Sequence, residues 1–242
     1  MQQTTLTVAS NRALTGDVSV MELQGDLTHV TRPGQFVDLR LEGFYLRRPI
    51  SVCDWTDDRL TIIYKVVGAG TAALRGYGPG RRIDALVGLG NGYDTSRAGQ
   101  RPLLLGGGVG VPPLYGLARR LREKGLAVRA AFGFNRAADA FWLEEFRALG
   151  CEVAVATLDG SLGEKGFVTD ILPEDATFYY ACGPLPMLKA VHKRLDLPGQ
   201  LSLEERMGCG FGACMGCSIE TKEGPRRVCK DGPVFDREVL PW

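Results

Sequence analysis

The sequence is short of net charge, of histidine and of long apolar runs. Lysine and arginine number 29 against 28 acidic residues, so no overall field would draw the chain to nucleic acid or to an anionic membrane, and neither is expected as a partner. No apolar run approaches the roughly 18 residues of a spanning helix, and the opening MQQTTLTVASNRAL lacks the basic-then-apolar layout of a signal peptide. A cytoplasmic location is therefore expected. The two histidines, His29 near a loop and His192 on a predicted helix, read as solvent-facing or packing residues. No catalytic acid–base residue is assigned.

Glycine is plentiful. The 32 glycines exceed the usual share of about 7% and imply many turns and close backbone approaches. Hydrophobic residues at 45% and charged residues at 24% fit a folded soluble chain long enough for one large domain, or two smaller ones with an appendage. Seven cysteines form an odd set, which argues against a disulfide framework in a reducing compartment. Cys53 and Cys151 read as small core residues.

The fold class read from the pattern is α+β and multidomain. Residues 1–100 alternate short β-rich runs with turn signals, among them TTLTVAS, VSVMELQG, QFVDLRL, PISVCDW and RLTIIYKVV, which predicts an antiparallel barrel or sandwich. One short helix is expected there, Gly70 to Tyr77, with Thr71 as its N-cap. Residues 101–197 change to strand–helix alternation and predict a doubly wound parallel α/β domain. Its helices are expected at LYGLARRLREKG, DAFWLEEFRALG, KGFVTDILP and LPMLKAVHKRL. Residues 198–242 follow the breaker LPGQ and carry too few apolar residues for a core of their own, so a metal centre would supply order.

That tail holds Cys209, Cys214, Cys217 and Cys229 in the spacing C-x4-C-x2-C-x11-C, the plant-type ligand pattern of a [2Fe–2S] cluster. Two tetrahedral irons need four terminal thiolates, and the surrounding glycines allow the backbone to wrap around them. Structural zinc remains the alternative, although zinc ribbons usually pair two C-x2-C knuckles and only Cys214 and Cys217 form one.

In LLLGGGVGVPPL, Gly106, Gly107, Gly108 and Gly110 lie between a strand and a helix opening at Pro112 and Pro113. This suits a pyrophosphate site, with close backbone approach and unpaired amides, though a ligand-free turn is the competing reading. Cys182, Gly183 and Pro184 sit at the carboxyl end of a predicted strand, where open parallel sheets place their ligands. No acidic residue follows the second strand of this domain; Asn135 and Arg136 stand there, and Arg136 could accept a 2′-phosphate. Finally, Arg48, Pro49, Ile50 and Ser51 form an R-x-x-S run that would suit a diphosphate.

Taken in order, the R-x-x-S barrel, the G-x-G-x-x-P domain and its C-G-P ending resemble the ferredoxin-reductase superfamily. Within it, RRPIS, IIYKVVGAGT, LLGGGVGVPPL, YACGPLPML and EERMGCGFGAC with CKDGPVF are similar to the electron-transfer subunits of NAD-dependent dihydroorotate dehydrogenase, over essentially the whole chain. The resemblance implies an FAD-binding barrel, with contacts from Arg48, Pro49, Ile50 and Ser51, from Ile63, Tyr64 and Lys65, and from Gly70 and Thr71. It implies NAD as coenzyme and a small iron–sulfur domain. It also implies an FMN-containing catalytic partner, two copies of each subunit forming a heterotetramer, in pyrimidine biosynthesis. Dihydroorotate would be oxidised in the partner, and electrons would pass through the cluster and FAD to NAD⁺. The flavin subunit of a ferredoxin-dependent NADP reductase, or of a sulfite or sulfide reductase, shares the three-part layout; members of the first type resemble this chain but carry aspartate where Cys209 stands. A zinc-bound interaction module is the reading from another class.

Overall fold

The computed structural model describes all 242 residues. Six strands, β1 (Gln2–Ala13), β2 (Val18–Gln24), β3 (Phe36–Arg40), β4 (Arg48–Trp55), β5 (Arg59–Lys65) and β6 (Arg82–Leu89), close into an antiparallel barrel of order β1-β2-β5-β4-β3-β6. Closure leaves no free sheet edge. The interior follows the strand period of two: Leu6 and Val8, Met21 and Leu23, Val37 and Leu39, and Ile83, Ala85 and Val87 all point into one core. Helix α1 (Ala69–Arg75) caps one end through Leu74.

The expected N-cap is displaced. Gly68 takes that position, and Thr71 lies inside the helix with its Oγ1 accepting from the amides of Val67 (3.0 Å) and Gly68 (3.3 Å).

The second sheet contains β7 (Pro102–Gly107), β8 (Arg129–Phe134), β9 (Glu152–Thr157), β10 (Glu164–Lys165), β11 (Phe178–Cys182), β12 (Gly199–Ser202) and β15 (Val234–Asp236), in the order β10-β9-β8-β7-β11-β12-β15. All pairs are parallel except β12 with β15. Helices α2 (Tyr115–Glu123), α3 (Leu143–Ala148) and α4 (Leu185–Arg194) connect its strands. The strand order reverses between β7 and β11, the switch point at which open α/β sheets bind ligands.

Several elements are shorter than the sequence pattern suggests. Pro112 and Pro113 open a 3₁₀ turn, and α2 begins only at Tyr115. Trp142, at φ 63°, breaks the expected DAFWLEEFRALG helix down to α3. KGFVTDILP forms a single 3₁₀ turn, Val168–Asp170.

Residues 198–242, assigned from sequence to the cluster domain, contribute to this sheet. Two strands of this segment, β12 and β15, extend the sheet, and only the span between them is loop-rich. That span carries one small hairpin, β13 (Ser218–Ile219) with β14 (Arg226–Arg227). Gln200, Leu201 and Ser202 pair with β11 through their main chain, a ladder that does not depend on apolar side chains.

Two further cores join the parts. One packs Val18, Val20, Cys53 and Ile63 of the barrel against α2 and β8, where Arg119 grips Asp54 at 2.6 Å and 2.9 Å. The other lies on the opposite sheet face and unites Phe36, Leu89, Leu105 and Leu201 with Cys217 and Cys229.

Candidate redox site

In the barrel, the candidate flavin residues fall on two adjacent strands and the start of α1. Arg48 opens β4, its Nη1 donating to the carbonyls of Leu46 (2.6 Å) and Arg47 (3.1 Å) and its guanidinium lying 5.0 Å from the Phe44 ring centre. A side chain on Gly70 would overlap the Arg48 guanidinium. Arg48 and Gly70 are thus in direct contact, forming one cradle from residues 22 apart in sequence. Pro49, Ile50 and Ser51 continue along β4, all partly exposed.

The other expected contacts are less free. Tyr64 is buried, with its hydroxyl donating to Asn11 Oδ1 at 3.0 Å, and Lys65 pairs with Asp17 at 3.0 Å. Ile63 is buried in the core shared with the nucleotide domain. What β5 offers a ligand is therefore chiefly main chain. The Thr71 hydroxyl is spent on the turn preceding α1.

The glycine loop and the Cys182–Pro184 segment meet at the switch point. A Cβ at Gly110 would overlap Cys182 O and crowd the Gly183 amide (2.6 Å), and one at Gly107 would press on Pro184 and Met187. At Gly107 and Gly110 the missing side chain lets the two loops touch. Gly108, at φ 52° with nothing within 4 Å of its Cβ position, keeps the open face. The loop's 3₁₀ turn adjoins β5, so nucleotide loop and flavin strand are neighbours. Burial pushes the Cys182 thiol up to about 12, keeping it neutral. Beyond the end of β8, Arg136 Nε lies 3.1 Å from Asp139 Oδ1, with the side chain largely exposed.

The four cysteines stand as two pairs. Cys209 and Cys214 are hydrogen-bond neighbours, as are Cys217 and Cys229, and no three Cys, His, Asp or Glu side chains are arranged to hold a single ion. Each pair also receives main-chain amides: Ala213 N (3.2 Å) and Cys214 N (3.5 Å) donate to Cys209 Sγ, and Cys229 N donates to Cys217 Sγ at 3.4 Å. Burial opposes ionisation of Cys209, but the amides of Cys214, Phe211 and Ala213 bring its thiol down to about 6. Burial, with Cys217 beside it, pushes Cys229 up to about 12. Paired thiols and amides aimed at sulfur fit a binuclear cluster, which takes two thiolates at each iron.

Arg227 braces this loop by donating to Gly212 O at 2.9 Å while pairing with Asp231 at 3.0 Å. Cys209 and Cys214 reach the surface and Cys217 and Cys229 do not. Phe211 and Met215 are exposed beside the outer pair, at 44% and 53%.

Sequence reasoning missed Arg227, Asp231 and Asp38. Asp38, on β3, is buried against the cysteine loop, and burial raises its carboxyl to about 6, with Arg47 opposing the rise and Cys209 adding to it. The R-x3-D spacing of Arg227 and Asp231 was the only signal for that pair. Cys53 and Cys151 are buried core residues. His29 is exposed, and His192 Nε2 lies 3.1 Å from Arg237 O.

Residues 204–240 match the family model described as the iron–sulfur cluster binding domain of dihydroorotate dehydrogenase B. The chain is 45% identical over 259 residues to the dihydroorotate dehydrogenase B (NAD(+)) electron transfer subunit of Bacillus velezensis, covering 99% of each. It is 45% identical to the Bacillus caldolyticus subunit of that name, over 95% of each. Among solved structures, an NADH-dependent reduced ferredoxin-NADP oxidoreductase superposes with a TM-score of 0.88 at 29% identity, over 98% of this chain and 90% of that one. The cytochrome b5 reductase domain of Ulva prolifera nitrate reductase shares the fold at a TM-score of 0.66 and 17% identity, over 81% and 92%.

Proposed function

The chain belongs to the family of electron-transfer subunits of NAD⁺-dependent dihydroorotate dehydrogenase B, and from that premise we propose that it passes electrons from the FMN of a dihydroorotate-oxidising partner to NAD⁺, in the synthesis of UMP. FAD joins one-electron to two-electron chemistry and the [2Fe–2S] cluster carries single electrons.

The chain's own residues divide this work by position. Arg48, set against Gly70, supplies charge for the flavin diphosphate, while Pro49, Ile50 and Ser51 and the main chain of Ile63, Tyr64 and Lys65 line its site; Thr71 holds the Val67–Gly68 turn that leads into Gly70. Gly106, Gly107, Gly108 and Gly110 with Cys182, Gly183 and Pro184 form the nucleotide floor, Gly108 presenting the open backbone. Cys209 with Cys214, and Cys217 with Cys229, hold the two irons. NAD is the coenzyme of the family to which the chain belongs.

The observation that carries this reading is the paired, amide-supported thiols within a segment matching the family's cluster domain. Cys209 supplies a thiolate where ferredoxin-dependent reductases would carry aspartate. The surface around Phe211 and Met215 is where the partner docks, in the cytoplasm, in an assembly of two copies of each subunit. Alone, the chain should reduce artificial acceptors with NADH and leave dihydroorotate untouched; mixed with the FMN subunit, it should form NADH from dihydroorotate. Failure of the mixture to form NADH, with both flavins and the cluster present, would overturn the proposal.

A further inference from the structure

Asp38 carries a carboxyl where burial is costly. It lies in the middle of β3, 2% exposed, and its Oδ1 has no hydrogen-bond partner. Buried carboxylates are ordinarily paired or hydrogen-bonded. Arg47, the nearest candidate, directs one nitrogen at the Asp84 carboxylate (2.5 Å) and another at main-chain carbonyls, including that of Asp38 itself at 3.4 Å.

Strand alternation sends Val37 and Leu39 into the barrel core, whereas Phe36, on the same face as Asp38, packs in the core that contains Cys217 and Cys229. The carboxyl therefore points out of the barrel, beneath the tail. A Cβ on Gly210 would overlap its Oδ2, one residue from Cys209. Across the sheet, Asp38 pairs with Pro49, inside the candidate flavin segment. A single carboxyl thus stands between the strand assigned to the flavin and the loop assigned to the cluster.

We propose that Asp38 is a positioning residue that seats the Cys209 loop on the barrel and holds the cluster's reduction potential low. Nearby charge and contacts outside the ligand set tune such potentials, and a negative charge screened by little water opposes the added electron strongly. The inference rests on the cluster assignment above.

The test is an EPR-monitored redox titration at pH 8 of the anaerobic holo-chain, as wild type, Asp38→Asn and Asp38→Glu, with iron, sulfide and FAD assayed in each. Asp38→Asn should keep all three and move the cluster midpoint to a more positive potential. Asp38→Glu should return it toward the wild-type value. If Asp38→Asn sheds the cluster while Asp38→Glu keeps it at the wild-type potential, the carboxylate is again the seat of the loop. An unchanged midpoint in Asp38→Asn, equal shifts in both variants, or loss of the cluster from both would overturn the proposal, since shape or nothing would then be at work. Absence of iron and sulfide from the wild type would instead sink the cluster assignment, which keeps the two failures apart.

Discussion

The nucleotide loop and the cysteine loop are both rich in glycine, but the side chain each forbids is forbidden for a different reason. At Gly110 the backbone angle is ordinary, and a Cβ is excluded because Cys182 O and the Gly183 amide already occupy its place. At Gly210 and Gly212 the backbone itself is turned, to φ 75° and 95°, a region that L-residues enter at a cost, in addition to the crowding a Cβ would meet from Asp38 and Lys230. The first loop needs glycine to pack against its neighbour. The second needs it to turn amides toward sulfur. Glycine content alone does not tell a contact from a conformation.

The sharpest way to break this comparison is to remove a ligand. Cys214→Ala should abolish the cluster and with it NADH formation from dihydroorotate in the reconstituted pair. FAD and the NADH-to-acceptor reaction should persist, because the barrel cradle and the glycine loop lie outside the cysteine span; iron, sulfide and flavin assays on the purified variant check this. Loss of FAD together with the cluster would show that the two regions are not independent.

Next in size is Gly110→Ala. Forcing a methyl group against main chain should cost roughly 3 kcal/mol, the upper end of overpacking penalties, read as a lower midpoint in denaturant. The partner experiment is Gly108→Ala, where space is free and only the left-handed backbone is penalised, by about 1 kcal/mol. Its effect should appear as a raised KM for NADH with little loss of stability. Equal destabilisation by both substitutions would erase the distinction between contact and conformation.

Gly210→Ala adds to a backbone penalty of about 1 kcal/mol a methyl group pressed on the buried Asp38 carboxyl, so it should lower the denaturant midpoint, lower the iron retained per chain and alter the visible spectrum. A wild-type spectrum at full iron content would mean the turned backbone is dispensable. The smallest effect on the chain itself is expected from Phe211→Ala. An exposed side chain contributes little to folding, so stability and cluster should be unchanged while affinity for the FMN subunit falls severalfold in a titration. Truncation of a central aromatic contact typically weakens binding more than its neighbours do.

Much of this arrangement could be read from residue order. Alternation in VSVMELQ and RLTIIYK foretold barrel strands, the spacing of four cysteines marked the span that the iron–sulfur family model matches, and PLLLGGG foretold β7 and its loop. Other features are set by contacts between distant segments. The sequence QFVDLR alternates as a half-exposed strand would, so Asp38 reads as facing water; only the tail, some 170 residues later, buries it. In the same way, GQLS has little apolar character, and its place in the sheet depends on the free edge of β11. Thr71 resembles a cap, but Gly68 supplies the extended geometry a cap needs, and Thr71 then reaches back to the preceding amides. Short local windows contain neither the partner strand nor the covering loop.

The cysteine span is fastened at both ends. β12 joins it to β11 on one side, β15 returns beside β12 on the other, and Leu203 N meets Pro233 O at 2.8 Å where the two ends touch. Asn91, in the segment linking barrel to sheet, secures the returning end through Val234 O (2.7 Å) and Val234 N (3.2 Å). A loop whose two ends are already held side by side has less conformational freedom to lose when its four thiols gather, so the frame lowers the entropic cost of assembling the site.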